Sequence, residues 1–136
     1  MRATGTFSVK KWEENTYKEI SPEMKMTKAT VEYELSGEIE GRASVEYLMF
    51  YQHVDNTDQH KSSASYVGLF RLDGKISGKS GSVVMEDRGT FTAGTASSAL
   101  QVVGGSGTGE LKGIVGKGKY QAGQSGIHLE LDYDIT

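Results

Sequence analysis

"IHLELDYDI", residues 127–135, decides the fold. Ile127, Leu129, Leu131, Tyr133 and Ile135 alternate with His128, Glu130, Asp132 and Asp134. In an extended chain that pattern puts every apolar side chain on one face and every polar one on the other. A helix would wind the same residues around its whole circumference. The segment therefore reads as a strand with one face buried and one face wet. "MTKATVEYEL", residues 26–35, repeats the period: Met26, Ala29, Val31, Tyr33 and Leu35 lie near one face, Lys28, Thr30, Glu32 and Glu34 opposite.

Composition agrees. The 136 residues include 18 glycines and one proline. Disordered low-complexity chains are commonly rich in both. Glycine without proline suits a curved antiparallel sheet, because glycine allows bulges and bends whereas proline removes a ladder donor. The length fits one domain, residues 1–136, with its own core. The formal charge is −3 and the basic residues are scattered. Nucleic-acid binders usually gather them on one face, so no nucleic-acid partner is expected. Without cysteine there is no disulfide or thiolate chemistry. No apolar run approaches the roughly 20 residues of a membrane span, and "MRATGTFSVKKW" lacks a signal-type apolar core. The expectation is a cytoplasmic protein with no membrane partner.

The alternation predicts eight strands, at 2–12, 24–36, 39–52, 63–74, 80–93, 96–107, 115–122 and 126–136. Turn chemistry marks the joints: "SGE" (36–38), "DGK" (73–75), "TAGT" (92–95) and "AGQSG" (122–126). "EENTYKEISPE" (13–23) and "VDNTDQHKSS" (54–63) read as polar loops. Short connections favour a meander. An open meander would leave edges beside "VEYLMFY" (45–51), apolar on both faces. Closing the sheet removes those edges. The fold class is therefore all-β, a closed eight-stranded antiparallel meander barrel, with a β-sandwich as the competing arrangement.

"VVGGSGTGELKGIVGKGKY", residues 102–120, tests whether the glycines hold phosphates. A dinucleotide fingerprint starting at Gly105 fails at Glu110. A P-loop reading of "GIVGKGKY" fails at Tyr120, where a small hydroxyl should stand. Neither segment opens a helix toward a phosphate. The remaining reading is geometric: the chain reverses at a tapering barrel end, with Leu111 and Ile114 as a plug.

This segment resembles the glycine pattern of the allene oxide cyclase and dirigent barrels. "ATGTFSVKKWEE", "SGEIEGRASVEYLMFY", "SYVGLFRLDGKISGKSGSVVMEDRGTF", "GSGTGELKGIVGKGKY" and "LDYD" together resemble the bacterial domain-of-unknown-function family numbered 3224. The resemblance implies the same eight-stranded barrel, allene oxide cyclase-like, and homo-oligomers, since allene oxide cyclase barrels associate. It brings no established activity. The chain departs from the family pattern at Phe70, where an acidic residue is usual, and at Asp87, where a histidine is usual. If those positions mark a pocket, this pocket is altered.

A barrel of this size either encloses a small ligand or is filled by its own side chains. Glu46, Arg71 and Glu86 sit among apolar neighbours. Turned inward, Glu46 and Arg71 could pair and Glu86 could be a second acid, as anchors or acid–base groups. Turned outward, all three are solvated. Strand parity leaves this open, because Val45, Tyr47, Met49 and Tyr51 oppose Glu46, Leu48 and Phe50, and both sets are bulky. Tyr51 and Tyr66 could place phenols at a pocket mouth, and Trp12 reads as a barrel-end plug. His53, His60, Asp55 and Asp58 share a loop without metal-site spacing, and His128 lies on the wet face. No cofactor, metal site or catalytic triad is expected.

Two functions follow: a barrel binding a small apolar or amphipathic ligand, or a cofactor-free isomerase or cyclase of the allene oxide cyclase type. A filled barrel acting as an oligomeric interaction module is the third. An interior cavity of roughly 300 Å³ or more lined by Glu46 or Arg71 would favour the first two.

Overall fold

The computed structural model describes residues 1–55, 57–58, 61–123 and 126–136. Eight strands follow in chain order: β1 (Arg2–Glu19), β2 (Lys25–Gly37), β3 (Ile39–His53), β4 (Ser63–Ile76), β5 (Lys79–Thr92), β6 (Thr95–Val102), β7 (Ile114–Gly123) and β8 (Gly126–Ile135). A single 3-10 turn, Gly109–Leu111, lies between β6 and β7. Each strand pairs antiparallel with the next, and β8 returns to β1, so the hydrogen bonds run in a ring and the sheet is a closed barrel. No described helix is long and apolar enough to cross a membrane.

The ring closes through a short seam. β1 pairs with β8 only from Arg2 opposite Asp132 to Gly5 opposite Leu129. Beyond Gly5 that edge of β1 has no strand partner among the described residues, while its other edge follows β2 to Glu19. Past Gly5, β1 is bulged against β2 at Val9/Lys11 and Thr16/Lys18 and carries the cations Lys10, Lys11 and Lys18. Bulges and lysines are the usual protection of an exposed edge against pairing with another chain. Residues 13–19 are thus strand, not the polar loop expected. Their polarity reflects a ribbon standing beyond the ring, exposed except at the half-buried Glu14.

Odd-numbered positions fill the interior from β2 and β3, at Ala29, Val31, Tyr33, Ala43, Val45, Tyr47 and Met49, and even-numbered ones from β4, at Ala64, Tyr66, Phe70 and Leu72. Thr27, rather than Met26, continues the inner row of β2. Two hairpins turn on Ser77–Gly78 and Ala93–Gly94, both residues of each pair at positive φ (50° and 83°, 53° and 80°). That is the two-residue turn whose twist matches paired strands. The "DGK" signal at 73–75 lies inside β4 instead. Gly74 faces Gly41 across β3, and a Cβ on it would stand 2.0 Å from the Glu40 carbonyl oxygen. Close backbone approach, not a turn, requires glycine there.

β6 ends at Val102, five residues before the expected boundary. Residues 103–108 fold back over β5: Val103 N–H donates to the Val84 carbonyl at 2.9 Å and Thr108 N–H to the Ser82 carbonyl at 2.9 Å. The 3-10 turn then presses Leu111 into the ring end beside Ile114, both essentially without exposed surface. The expected plug is present, with Ile114 as the first residue of β7. Gly107 makes it possible: a Cβ there would stand 2.0 Å from the Leu111 carbonyl oxygen.

Leu111→Ala should therefore lower the unfolding free energy by about 2–5 kcal/mol, the usual range for emptying a core leucine. Urea unfolding followed by circular dichroism measures it; a loss under about 0.5 kcal/mol would mean that the turn does not plug the ring.

Candidate functional site

The two ends of the ring differ. One is sealed by Leu111 and Ile114. At the other, a cavity of about 180 Å³ opens among side chains from both sides of the β1–β8 seam. Phe7, Val9 and Trp12 come from β1, Phe91 from β5, Ala122 from β7 and Ile127 from β8. Deeper in, Tyr33, Tyr47, Tyr66 and Tyr120 complete the wall. None of the lining side chains carries a formal charge.

Trp12 owes its place to the bulge after Val9. In β1 the inner positions are Ala3, Phe7 and Val9; past the shift, Trp12 pairs with Val31, an interior residue of β2. The extra residue reverses parity. Trp12 stays 45% exposed, so it is a rim group and not the plug expected of it. Its ring stacks over Tyr47 at 6.3 Å and 27°, and its Nε1 donates to Glu14 Oε1 at 3.0 Å. Glu14 Oε2 also accepts from the Thr27 and Tyr51 hydroxyls, each at 2.7 Å. One half-buried carboxylate thus fixes the angle of the indole at the mouth.

The inner wall is a hydroxyl network around a buried acid. Asp87 is 1% exposed. Its Oδ2 accepts from Tyr47 at 2.9 Å and from Tyr120 at 3.0 Å. Tyr47 also meets the hydroxyls of Tyr33 at 3.0 Å and Tyr120 at 2.8 Å, and Tyr66 bonds Ser98. Asp87 Oδ1 is buried and receives no hydrogen bond. Desolvation raises the Asp87 pKa, against the opposing pull of Ser98, Tyr47 and Tyr120. Burial likewise raises the phenols of Tyr33, Tyr47, Tyr66 and Tyr120, which remain protonated donors.

The expected site residues divide. Tyr66 lines the cavity. Tyr51 sits above it, half-buried and bonded to Glu14. Glu46, Arg71 and Glu86 point outward and are exposed, so the inward arrangement of the three is not the one adopted. Glu46 accepts from the Thr30 hydroxyl at 2.9 Å, and Arg71 lies 3.8 Å from Asp73. Glu46 and Glu86 instead border a groove on the outer face. The cavity is smaller than the roughly 300 Å³ expected and is lined by neither Glu46 nor Arg71. Tyr33 was legible as a residue of an apolar face, Tyr47 lay on a strand whose inner side was left open, and Tyr120 was met only as the residue that breaks a P-loop reading. Glu14 was hidden by the bulge, and Asp87 by a strand, "VVMEDR", whose two faces look alike. Among the loop histidines, His53 Nδ1 lies 3.6 Å from Glu23, while His60 lies outside the described residues, as do Gln124 and Ser125 of the "AGQSG" turn.

The Asp87 shift has a sign that stability measurements read. Its folded pKa is raised, so the folded chain holds this proton more tightly than the unfolded chain. Its contribution favours folding below the unfolded carboxylate value and fades as pH rises through the raised folded value. Asp87→Asn, which keeps an acceptor for Tyr47 and Tyr120, should match the wild type near about pH 4 and exceed its stability near about pH 7. Denaturant midpoints at the two pH values test this; a variant less stable by the same amount at both would show that the charge is not the strained element.

The sequence profile of a family described as proteins of unknown function, DUF3224, matches residues 3–134. A crystal structure of a DUF3224 protein of unknown function from Shewanella oneidensis MR-1 superposes with a TM-score of 0.77 at 25% identity, over 100% of this chain and 97% of that one. Comparison with curated proteins finds no match. With a family profile spanning all but the two ends and a family structure sharing its course from end to end, the chain belongs to the DUF3224 family.

Proposed function

We propose that the protein binds a small, uncharged, mainly apolar molecule, of about one aromatic ring, in the open end of the ring of strands. The observation that carries this reading is the apolar cavity of about 180 Å³ walled by aromatic side chains. An apolar protein cavity near 150 Å³ is large enough to take benzene. The absence of lining charges disfavours an ionic ligand, whose desolvation would go uncompensated. The ring faces of Phe7, Trp12, Tyr33 and Phe91 offer stacked or edge-on contacts to a flat guest.

Binding is favoured over isomerase or cyclase chemistry by the state of the inner wall. The phenols that reach the cavity spend their hydroxyls on one another, on Asp87 or on Ser98. Asp87 Oδ1, the one buried side-chain oxygen without a hydrogen bond among the described residues, is sealed from the cavity space. No lining group is a free nucleophile or an accessible acid. The filled-barrel reading accounts for the plugged end but leaves the open end unexplained.

Titration with toluene and indole, followed by Trp12 fluorescence and calorimetry, tests the proposal. Ala122→Leu fills the cavity from β7 and should weaken binding by at least about tenfold with unfolding stability kept or raised. If the wild type binds neither compound, or if the filled variant binds as well as the wild type, the interior is not the site.

A further inference from the structure

The outer groove carries a pattern that the sheet register makes explicit. Lys28 stands beside Leu48, Leu48 beside Val67, Val67 beside Arg88 and Arg88 beside Ala99. These residues form one outward row across β2 to β6, basic at Lys28 and Arg88 with an apolar middle. Two residues along the strands runs a second row, Thr30, Glu46, Leu69, Glu86 and Gln101, which Lys117 continues on β7 at the far end of the groove. It is acidic at Glu46 and Glu86, again with an apolar centre. Between them lies an inward-pointing row that includes Tyr47, Gly68, Asp87 and Leu100, whose backbone floors the groove. Leu48, Val67 and Leu69 are 51%, 46% and 55% exposed, a contiguous patch without a cover in the single chain.

From these two rows we infer that this face docks on the same face of a second copy of the chain, about a two-fold axis lying along the rows. Rotation about that axis lays the basic row of one copy over the acidic row of the other. Arg88 then meets Glu86 of the partner subunit, and Val67 meets Leu69 of the partner subunit, each contact occurring twice. An axis along the strands, set between β3 and β4 at the middle of the apolar patch, would instead lay Lys28 over Arg88 of the partner subunit, so the charges favour the axis along the rows. The apolar centre supplies the burial and the flanking charges supply the register. The cavity mouth lies at the end of the ring, away from this face, so the pairing leaves it open.

Sedimentation velocity of the purified full chain is the test, with charge-reversal variants. The wild type should sediment as a dimer. Glu86→Arg alone and Arg88→Glu alone each set two like-charge contacts across the interface and should weaken association by roughly tenfold. Glu86→Arg with Arg88→Glu restores opposite charges in both contacts and should restore the dimer. Leu69→Lys should give monomers whose circular dichroism is unchanged. A monomeric wild type at the highest soluble concentration overturns the inference. So does a dimer insensitive to all four variants, which would place the contact elsewhere, and so does a double reversal that stays monomeric beside a folded spectrum.

Discussion

Four residue pairs hold the architecture closed: Arg2 to Gly5 of β1 against Asp132 to Leu129 of β8. Without them the sheet is an eight-strand ribbon with two free edges and an uncovered apolar face. With them, the alternation of each strand acquires a fixed inside. The seam is reinforced at the surface by the Arg2 guanidinium, whose Nε donates to Asp132 Oδ1 at 3.0 Å. The N-terminal ammonium group of Met1 donates to the Tyr133 carbonyl at 2.8 Å. The exposed ion pair adds little by itself; the ladder does the closing. Because the seam is short, β1 is free to leave β8 above Gly5, and the cavity opens along that divergence between Phe7 and Val9 on one side and Ile127 on the other.

The two ends of the ring follow from two local devices in the chain. At one end, a glycine-rich return lets backbone approach backbone closely enough to press Leu111 into the core. At the other, a one-residue bulge in β1 turns Trp12 inward and leaves it on a ribbon that overshoots the ring. Glu14, held by three donors, fixes the indole. The interior between them is filled with aromatic and aliphatic side chains except beside the tyrosines. There a carboxylate, Asp87, is buried at the cost of its hydration and met by two phenols. Tyr33, Tyr47, Tyr66, Tyr120, Ser98 and Asp87 act as one hydrogen-bonded unit that gives the inner wall a set shape.

How much of this was legible in the sequence depends on what period two can report. Where one face is clearly polar, as at Ile127–Ile135 or Val31–Leu35, strand and inner face were both readable. Where both faces are bulky, as at 45–51, the strand was readable and the side was not, because a choice between Tyr47 and Leu48 is made by ring closure far away. Asp87 was noticed only as a departure from a family pattern, since no local rule announces a carboxylate on the inner face. The bulge at Lys10 left no composition signal, so the fates of Trp12 and Glu14 were out of reach. Turn residues misled once, at Gly74, where the same residue type serves close packing in mid-strand. Of the glycines of 104–113, Gly105, Gly109 and Gly113 stand at positive φ and Gly107 lies against backbone, which is the geometric use that the sequence reading gave to this segment.

The central claim is that the inside of the ring, at its open end, is the working part of the molecule. Backbone amide shifts recorded by two-dimensional NMR during a toluene titration test it most directly. The account predicts changes concentrated at Val9, Met49, Phe91, Ala96, Ala122 and Ile127, around the cavity mouth. Changes confined to Glu46, Leu48, Leu69 and Glu86 on the outer face, or no changes at all, would contradict it.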